Sequence, residues 1–213
     1  MTGGIEGDLW SPADVPGGEQ LPLLVVHDGP EYDTRAGLTE YLGAGISGKR
    51  LPRLRAALLS PGDRNRNYSA NLRYLNSLIK YVPSAPARIG MGTSLGALAM
   101  LYAHSHSPSL FDALFLQSGS FFTPRCDPQE RPFPYFSNVV TYTAAPKLDR
   151  PIPVTLTCGL DEENLANNRR MADVLRQHGY PVTLHELPGG HDWGSWRSAF
   201  DPYLDDLLRQ AWP

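Results

Sequence analysis

Continuous apolar runs and amphipathic stretches alternate along this chain. The apolar runs predict buried strands at residues 21–27, 54–60, 87–91, 113–117, 152–157 and 182–186. Helical spacing of apolar residues predicts helices at residues 38–46, 69–81, 95–106, 164–178 and 193–210, the second with Ser69 as its N-cap. Repeated strand–helix units require a mostly parallel sheet with helices on both faces, so the pattern predicts an α/β fold.

Length and composition fit one globular domain over residues 1–213. The chain is 41% hydrophobic and 19% charged, with a net charge of −3, which gives no footprint for nucleic acid or an anionic membrane. No apolar run reaches the length of a membrane-spanning helix, and the first residues lack a signal-peptide pattern, so we expect a cytoplasmic protein. Two cysteines are too few for a disulfide framework, and Cys158 is expected to be a buried thiol.

A short motif at residues 92–96 indicates the chemistry. Its sequence, GTSLG, falls between a predicted strand and a predicted helix. It matches G-x-S-x-G, the nucleophile elbow, in which a sharp strand-to-helix turn exposes a serine hydroxyl at the sheet edge. Glycines two residues on either side of the serine leave room for so tight a turn. The motif therefore predicts that Ser94 is the nucleophile of a serine hydrolase.

A nucleophilic serine needs a base, and the base needs a group that orients it. His191 lies after the last predicted strand and before the last helix, where the base falls in the chain order serine, acid, histidine. The acid is expected after the preceding strand, where Asp161, Glu162 and Glu163 follow one another. Spacing alone does not choose between them, and negative charge ahead of a helix is favourable in any case.

Stabilisation of the oxyanion requires N–H donors aimed at the reacting carbonyl. One donor is expected to be the backbone N–H of Leu95, the residue after the nucleophile. The second should come from the loop after the first predicted strand, where Pro30 has no N–H. Gly29 or Glu31 is therefore expected to supply it.

Residues 118–150 interrupt the regular alternation of strands and helices. The segment is rich in proline and aromatic residues and is too long for a simple connection. We interpret it as an insertion or lid over the active site that shapes the substrate pocket. A plain surface excursion is the alternative.

Several motifs together resemble one esterase family of α/β-hydrolases. They are GTSLG at residues 92–96, HDGPEY at residues 27–32, GDRNRNYSAN at residues 62–71 and PGGHDWGSWR at residues 188–197. The family includes enterochelin esterases, the esterase D group, feruloyl esterases and mycolyltransferases. The likeness covers most of residues 20–210 and is greatest to the catalytic domain of enterochelin esterases.

This resemblance implies an α/β-hydrolase fold, ester hydrolysis through an acyl-serine, and no metal or organic cofactor. It assigns the nucleophile to Ser94 and the base to His191. The family's acid lies three residues past the strand-ending glycine, which here is Glu162, with Asp161 as the second choice. The chain departs from the family at Pro30, near where relatives donate an oxyanion N–H, and it shows no counterpart of the N-terminal domain of enterochelin esterases.

Two arginines and a tryptophan are candidates for contact with the substrate. Arg64 and Arg66 follow a predicted strand, where a guanidinium can hold an anionic or catecholate group. The alternative is a solvated loop, or one paired with Asp63. Trp193 is expected to pack the last helix and to edge the pocket.

The leading hypothesis is a hydrolase of small-molecule carboxylic esters. An acyltransferase would need the same residues, because the two activities differ in water exclusion and acceptor binding. A non-catalytic binding protein on the same scaffold is the alternative from a different class, but the elbow, acid and histidine are all present. The sequence does not indicate the acyl group, the alcohol group or the oligomeric state.

Overall fold

The computed structural model describes residues 5–16 and 19–212. Within these residues a seven-stranded sheet is formed by β1 (Glu6–Trp10), β2 (Leu23–His27), β3 (Arg55–Ser60), β4 (Arg88–Thr93), β5 (Ala113–Gln117), β6 (Val154–Gly159) and β7 (Val182–Leu187). The strands lie in the order β1-β3-β2-β4-β5-β6-β7. Only the edge strand β1 runs antiparallel to its neighbour among these described strands.

Helices cover both faces of this sheet. They are α1 (Gly29–Ala36), α2 (Leu38–Ser47), α3 (Arg64–Tyr68), α4 (Leu72–Tyr81), α5 (Leu95–His106), α6 (Phe136–Ala144), α7 (Leu165–Gln177), α8 (Trp193–Ser198) and α9 (Asp205–Ala211). The predicted α/β fold is confirmed. The helix predicted at residues 95–106 and the strand predicted at residues 113–117 have those bounds in the structure.

The two faces of the sheet carry separate parts of the core. Side chains alternate along each strand, so Leu23 and Val25 of β2 join the core on one face while Leu24 and Val26 join the core on the other. All four are nearly inaccessible to solvent. Burial on both faces explains why these strands appear in the sequence as continuous apolar runs. Across the described residues, every helix is too short or too polar to traverse a lipid bilayer.

The predicted N-cap of the helix at residues 69–81 is wrong. The helix starts at Leu72, and the Asn71 side chain accepts hydrogen bonds from the backbone N–H groups of Arg73 and Tyr74. Asn71 has the extended backbone and side-chain oxygen that an N-cap requires. Ser69 instead follows α3, a short helix that the sequence pattern did not predict, and donates its hydroxyl to the carbonyl of Asn65 in that helix.

Helix α1 begins where the sequence analysis placed a loop after the first predicted strand. It starts at Gly29, directly after β2 and a left-handed Asp28. Pro30 lies in the first turn, where no backbone N–H is needed and its fixed φ suits a helix. A Cβ at Gly29 would lie 2.3 Å from the Cα of Leu58, so only glycine allows α1 to pack this closely on β3.

The helix predicted at residues 193–210 is interrupted. Helix α8 ends at Ser198, a kinked turn follows at Phe200–Leu204, and α9 continues to Ala211. Within that turn Asp201 has an extended backbone, with φ −107° and ψ 119°. The following Pro202 causes this, because a proline ring excludes the preceding residue from the helical region.

Candidate active site

Ser94 occupies a strained turn between β4 and α5. Its backbone has φ 55° and ψ −125°, a region that residues with a side chain rarely adopt. A Cβ at Gly92 would lie 2.6 Å from the carbonyl of Gly96, so the turn requires glycine at residue 92. The Ser94 hydroxyl lies 3.2 Å from the hydroxyl of Ser120. Among the described residues, the Ser94 hydroxyl is hydrogen-bonded to Ser120 and not to His191.

His191 and Glu162 form a hydrogen-bonded pair beside this turn. His191 Nδ1 lies 2.7 Å from Glu162 Oε2. The carboxylate is almost completely buried, whereas the imidazole is 41% exposed. The ring of Trp196 packs edge-on against the imidazole, with 5.0 Å between ring centroids. The pair therefore has a fixed, buried acceptor and an imidazole that remains open to a ligand.

Two further donors hold the other oxygen of Glu162. Oε1 accepts from the Ser118 hydroxyl at 2.6 Å and from the Gly159 N–H at 2.7 Å. Ser118 Oγ in turn accepts from the indole N–H of Trp196 at 2.9 Å. Burial alone would raise the pKa of Glu162, but the hydrogen bonds from His191, Ser118 and Gly159 outweigh burial and lower it. Glu162 is therefore held as a carboxylate.

The two neighbouring carboxylates lie elsewhere. Asp161 and Glu163 are exposed and line a cavity, and in the described residues neither bonds to His191. The difference arises from the chain path after β6, because a Cβ at Gly159 would lie 2.3 Å from the carbonyl oxygen of Gly189. This close approach brings the loop that carries His191 against the loop that carries Glu162.

Two cavities meet at Ser94 and His191. The larger, of about 460 Å³, is lined by Ser94, Leu95, Ser120, Phe122, Glu130, Phe133, Asp161, Glu162, Glu163, Asn164 and His191. The smaller, of about 270 Å³, is lined by Asp28, Glu31, Arg64, Thr93, Ser94, His191, Trp193 and Trp196. The side chains of Ser94 and His191 therefore lie between two recesses.

The residues expected to form the oxyanion hole differ in whether they line a cavity. Leu95 follows Ser94 at the start of α5 and lines the larger cavity. Gly29 is buried against Leu58 and lines neither cavity, whereas Glu31 lines the smaller one. Both belong to the first turn of α1, where backbone N–H groups have no partner within the helix.

Of the three residues considered for contact with a substrate, two line the smaller cavity and one does not. Arg64 lines the smaller cavity and makes a two-point ion pair with Asp28, at 2.9 Å and 2.8 Å. This pair joins the end of β2 to α3 and replaces the pairing with Asp63 considered from the sequence. Arg66 is exposed and lines neither cavity. Trp193 lines the smaller cavity and packs edge-on against Tyr32 and Trp196.

Sequence reasoning missed the residues after β5. Ser118 bonds to Glu162, and Ser120 bonds to Ser94. Asn168 holds the intervening Gly119 through hydrogen bonds to its N–H and carbonyl groups. The available signal was position, because loops after the central strands of a parallel sheet meet at one edge.

Part of the segment at residues 118–150 also lines the larger cavity. Ser120, Phe122, Glu130 and Phe133 contribute to its wall. The segment contains a 3₁₀ turn at Pro128–Glu130 and helix α6. Its role as an insertion that shapes a substrate pocket remains our proposal.

Three features together define an α/β-hydrolase fold. They are the order of the strands, the strained serine after a central strand and the histidine after the last strand. A family model described as "Putative esterase" matches residues 72–207, well over half of the chain. The chain belongs to this esterase family. No curated protein sequence matches it significantly.

Solved structures share this fold at low sequence identity. Enterochelin esterase from Shigella flexneri is 20% identical, with a TM-score of 0.76 over 95% of this chain and 54% of that one. A ferulic acid esterase is 16% identical, with a TM-score of 0.72 over 96% and 92% of the two chains. S-formylglutathione hydrolase from Staphylococcus aureus is 14% identical, with a TM-score of 0.61 over 94% and 84%. The chain thus spans about half the length of the enterochelin esterase.

Proposed function

We propose that this protein is a serine hydrolase of carboxylic esters that acts through an acyl-serine intermediate. The observation that carries the proposal is the 2.7 Å hydrogen bond between His191 and Glu162 at a cavity that also contains the strained Ser94. Membership of the esterase family supports ester chemistry. The proposed roles are nucleophile for Ser94, base for His191 and orienting acid for Glu162.

The hydrogen bond to Glu162 supports one arrangement of the protons on His191. With Nδ1–H donated to the carboxylate, the neutral ring keeps Nε2 free to accept a proton. In the first step the Ser94 hydroxyl leaves Ser120, gives its proton to Nε2 and attacks the ester carbonyl. The imidazolium then protonates the departing alcohol, and the acyl group remains on Ser94. Water repeats these steps and releases the acid.

The negative oxygen formed in each step requires donors that are already in place. We assign one to the backbone N–H of Leu95. Of the two candidates for the second, Gly29 and Glu31, the placement on the cavity wall favours Glu31. The Arg64 side chain, also on that wall, lies within the site through its ion pair with Asp28.

The direct test is labelling with a fluorophosphonate, read by intact mass, beside hydrolysis of nitrophenyl butyrate. We expect one label per chain on the wild type, none on Ser94→Ala, and a loss of kcat of at least about 10⁴-fold in that variant. Ser77→Ala is the matched control, because Ser77 is exposed on α4 and its hydroxyl donates to the carbonyl of Arg73 within the same helix.

The outcomes separate the proposal from its alternatives. Unlabelled, folded wild-type protein would indicate a binding protein on the same scaffold and would contradict the proposal. Transfer of the butyryl group to a competing alcohol in preference to water would instead indicate an acyltransferase.

A further inference from the structure

The larger cavity carries negative charge beyond what the proposed triad needs. Glu162 is satisfied by its own hydrogen bonds, but Glu130, Asp161 and Glu163 also lie on the wall. No lysine or arginine is among the described residues that line this cavity. The charged groups on this wall are therefore carboxylates, apart from any charge on His191.

These three carboxylates are not neutralised locally. In the part of the chain that the structure describes, none of them forms a salt bridge, and Glu163 accepts only an amide hydrogen bond from Gln129 at 3.2 Å. Burial raises the pKa of Glu130, with further increases from Glu163 and Asp127, and His191 opposes the change. The Glu130 carboxylate thus lies in the field of both a second carboxylate and the proposed base.

Aromatic rings form the rest of the recess. Phe122, which is almost buried, and Phe133 line the cavity and pack edge-to-face, with 6.3 Å between centroids. The faces of aromatic rings attract cations, and aromatic rings commonly surround quaternary ammonium ligands. Carboxylates beside such rings add a Coulomb attraction for the same charge. Across the described residues no cluster of side chains suits a metal ion. An organic cation therefore fits this recess better than a metal.

We propose that the preferred substrate is an ester carrying an ammonium group, which the larger cavity receives between its carboxylates and its phenylalanine rings while the ester carbonyl lies at Ser94. This inference rests on the proposed function, because it places the reactive bond at Ser94. It also predicts rejection of anionic esters, since a second negative charge would enter an acidic recess without a partner.

The test compares esters that differ only in charge. One pair is butyrylcholine and its carbon isostere dimethylbutyl butyrate, with the cation on the alcohol. The other is the nitrophenyl ester of γ-trimethylammonio-butyrate and its tert-butyl isostere, with the cation on the acyl group. We expect the cationic member of at least one pair to have a kcat/KM about tenfold higher. Equal values in both pairs would overturn the inference while the neutral esters still report the proposed activity.

Variants assign the preference to the cavity. In the double variant Glu130→Gln, Glu163→Gln the ratio of cationic to neutral kcat/KM should fall several-fold towards one, because the wall loses two of its three additional carboxylates. Asp173→Asn is the matched control, since it removes an exposed charge on α7 that pairs with Arg176 outside both cavities. An equal fall in this control would mean that net charge alone sets the ratio.

A binding measurement tests the charge preference without turnover. Ser94→Ala is titrated with benzyltrimethylammonium and with benzenesulfonate, followed by ligand-observed NMR. We expect the cation to bind about tenfold more tightly, and this difference to shrink several-fold when Glu130 and Glu163 are changed to glutamine. Tighter binding of the sulfonate would overturn the inference even if no ester were hydrolysed.

Discussion

Three adjacent carboxylates illustrate how a residue's surroundings determine its chemistry. Glu162 is 8% exposed and accepts hydrogen bonds from His191, Ser118 and Gly159. Asp161 and Glu163, one residue away on either side, remain exposed to solvent. A buried carboxylate with three donors stays ionised and cannot rotate, which is what an orienting acid requires.

Replacing Glu162 by glutamine should lower kcat for nitrophenyl butyrate by about 10²- to 10⁴-fold, because the amide neither fixes the imidazole nor stabilises its protonated form. The loss should be smaller than that of Ser94→Ala. Asp161→Asn is the comparison, and its loss should be at least about tenfold smaller than that of Glu162→Gln. A larger loss in Asp161→Asn would transfer the role of the acid to Asp161.

His27 is a buried histidine whose protonation should make the stability of the fold depend on pH. It is completely buried and donates Nδ1–H to the Gly96 carbonyl at 3.1 Å. Burial lowers its pKa from 6.5 to about 3, with the Gly96 hydrogen bond opposing this shift and Arg64 adding to it. At pH values below 6.5, His27 therefore binds a proton in the unfolded chain that it does not bind in the folded chain.

Through His27, the free energy of unfolding should fall by up to about 1.4 kcal/mol per pH unit as the pH falls from 6.5 towards 3. Urea unfolding of the wild type and His27→Gln at several pH values measures this. Glutamine does not titrate, so the variant should lose stability less steeply over this interval. Parallel curves would show that another group causes the acid sensitivity.

At the scale of elements, the elbow depends on space rather than on helix propensity. Gly92→Ala should lower the free energy of unfolding by about 2–4 kcal/mol, because its Cβ would collide with the Gly96 carbonyl at 2.6 Å. Gly43→Ala is the opposite case. Gly43 lies within α2, and the nearest neighbouring atom to a Cβ there would be a Trp10 ring carbon at 3.6 Å.

That control should raise the free energy of unfolding by about 0.5–1 kcal/mol, the usual advantage of alanine within a helix. Urea denaturation of both variants gives the comparison. Similar effects of the two substitutions would mean that crowding at the elbow is relieved by a small backbone shift.

Elements were predictable where local signals and packing agree. The apolar run of β5 and the helix after Ser94 have their predicted bounds. Prediction failed where the deciding contact is distant: α1 starts in a sequence typical of turns because Gly29 packs on Leu58. Strand β1 has a polar sequence and exists because it pairs with β3.

At the scale of the whole molecule, the sheet separates two cores. Leu98 belongs to one and Leu204 to the other, and both side chains are completely buried. The sequence predicted a single domain, which requires that these cores unfold together. Helices on both faces share the same strands, so loss of either core should expose the sheet to water.

Leu98→Ala and Leu204→Ala should each lower the free energy of unfolding by about 2–5 kcal/mol in one cooperative transition. Circular dichroism and tryptophan fluorescence should give coincident urea curves for both variants. Two separated transitions would contradict the single-domain prediction. The cytoplasmic location stays a prediction made from the sequence.

The sequence by itself determined the α/β fold and the position of the elbow. Both depend on short-range features, namely apolar runs and two glycines around Ser94, whose effect on the backbone is local. Residue spacing left three adjacent carboxylates open and the family resemblance favoured Glu162, which the tertiary structure places against His191. The tertiary structure alone decided how Arg64 pairs with Asp28 and which side chains make one cavity acidic. These contacts join residues far apart in the chain, and only the packing of loops at the carboxyl edge of the sheet brings them together.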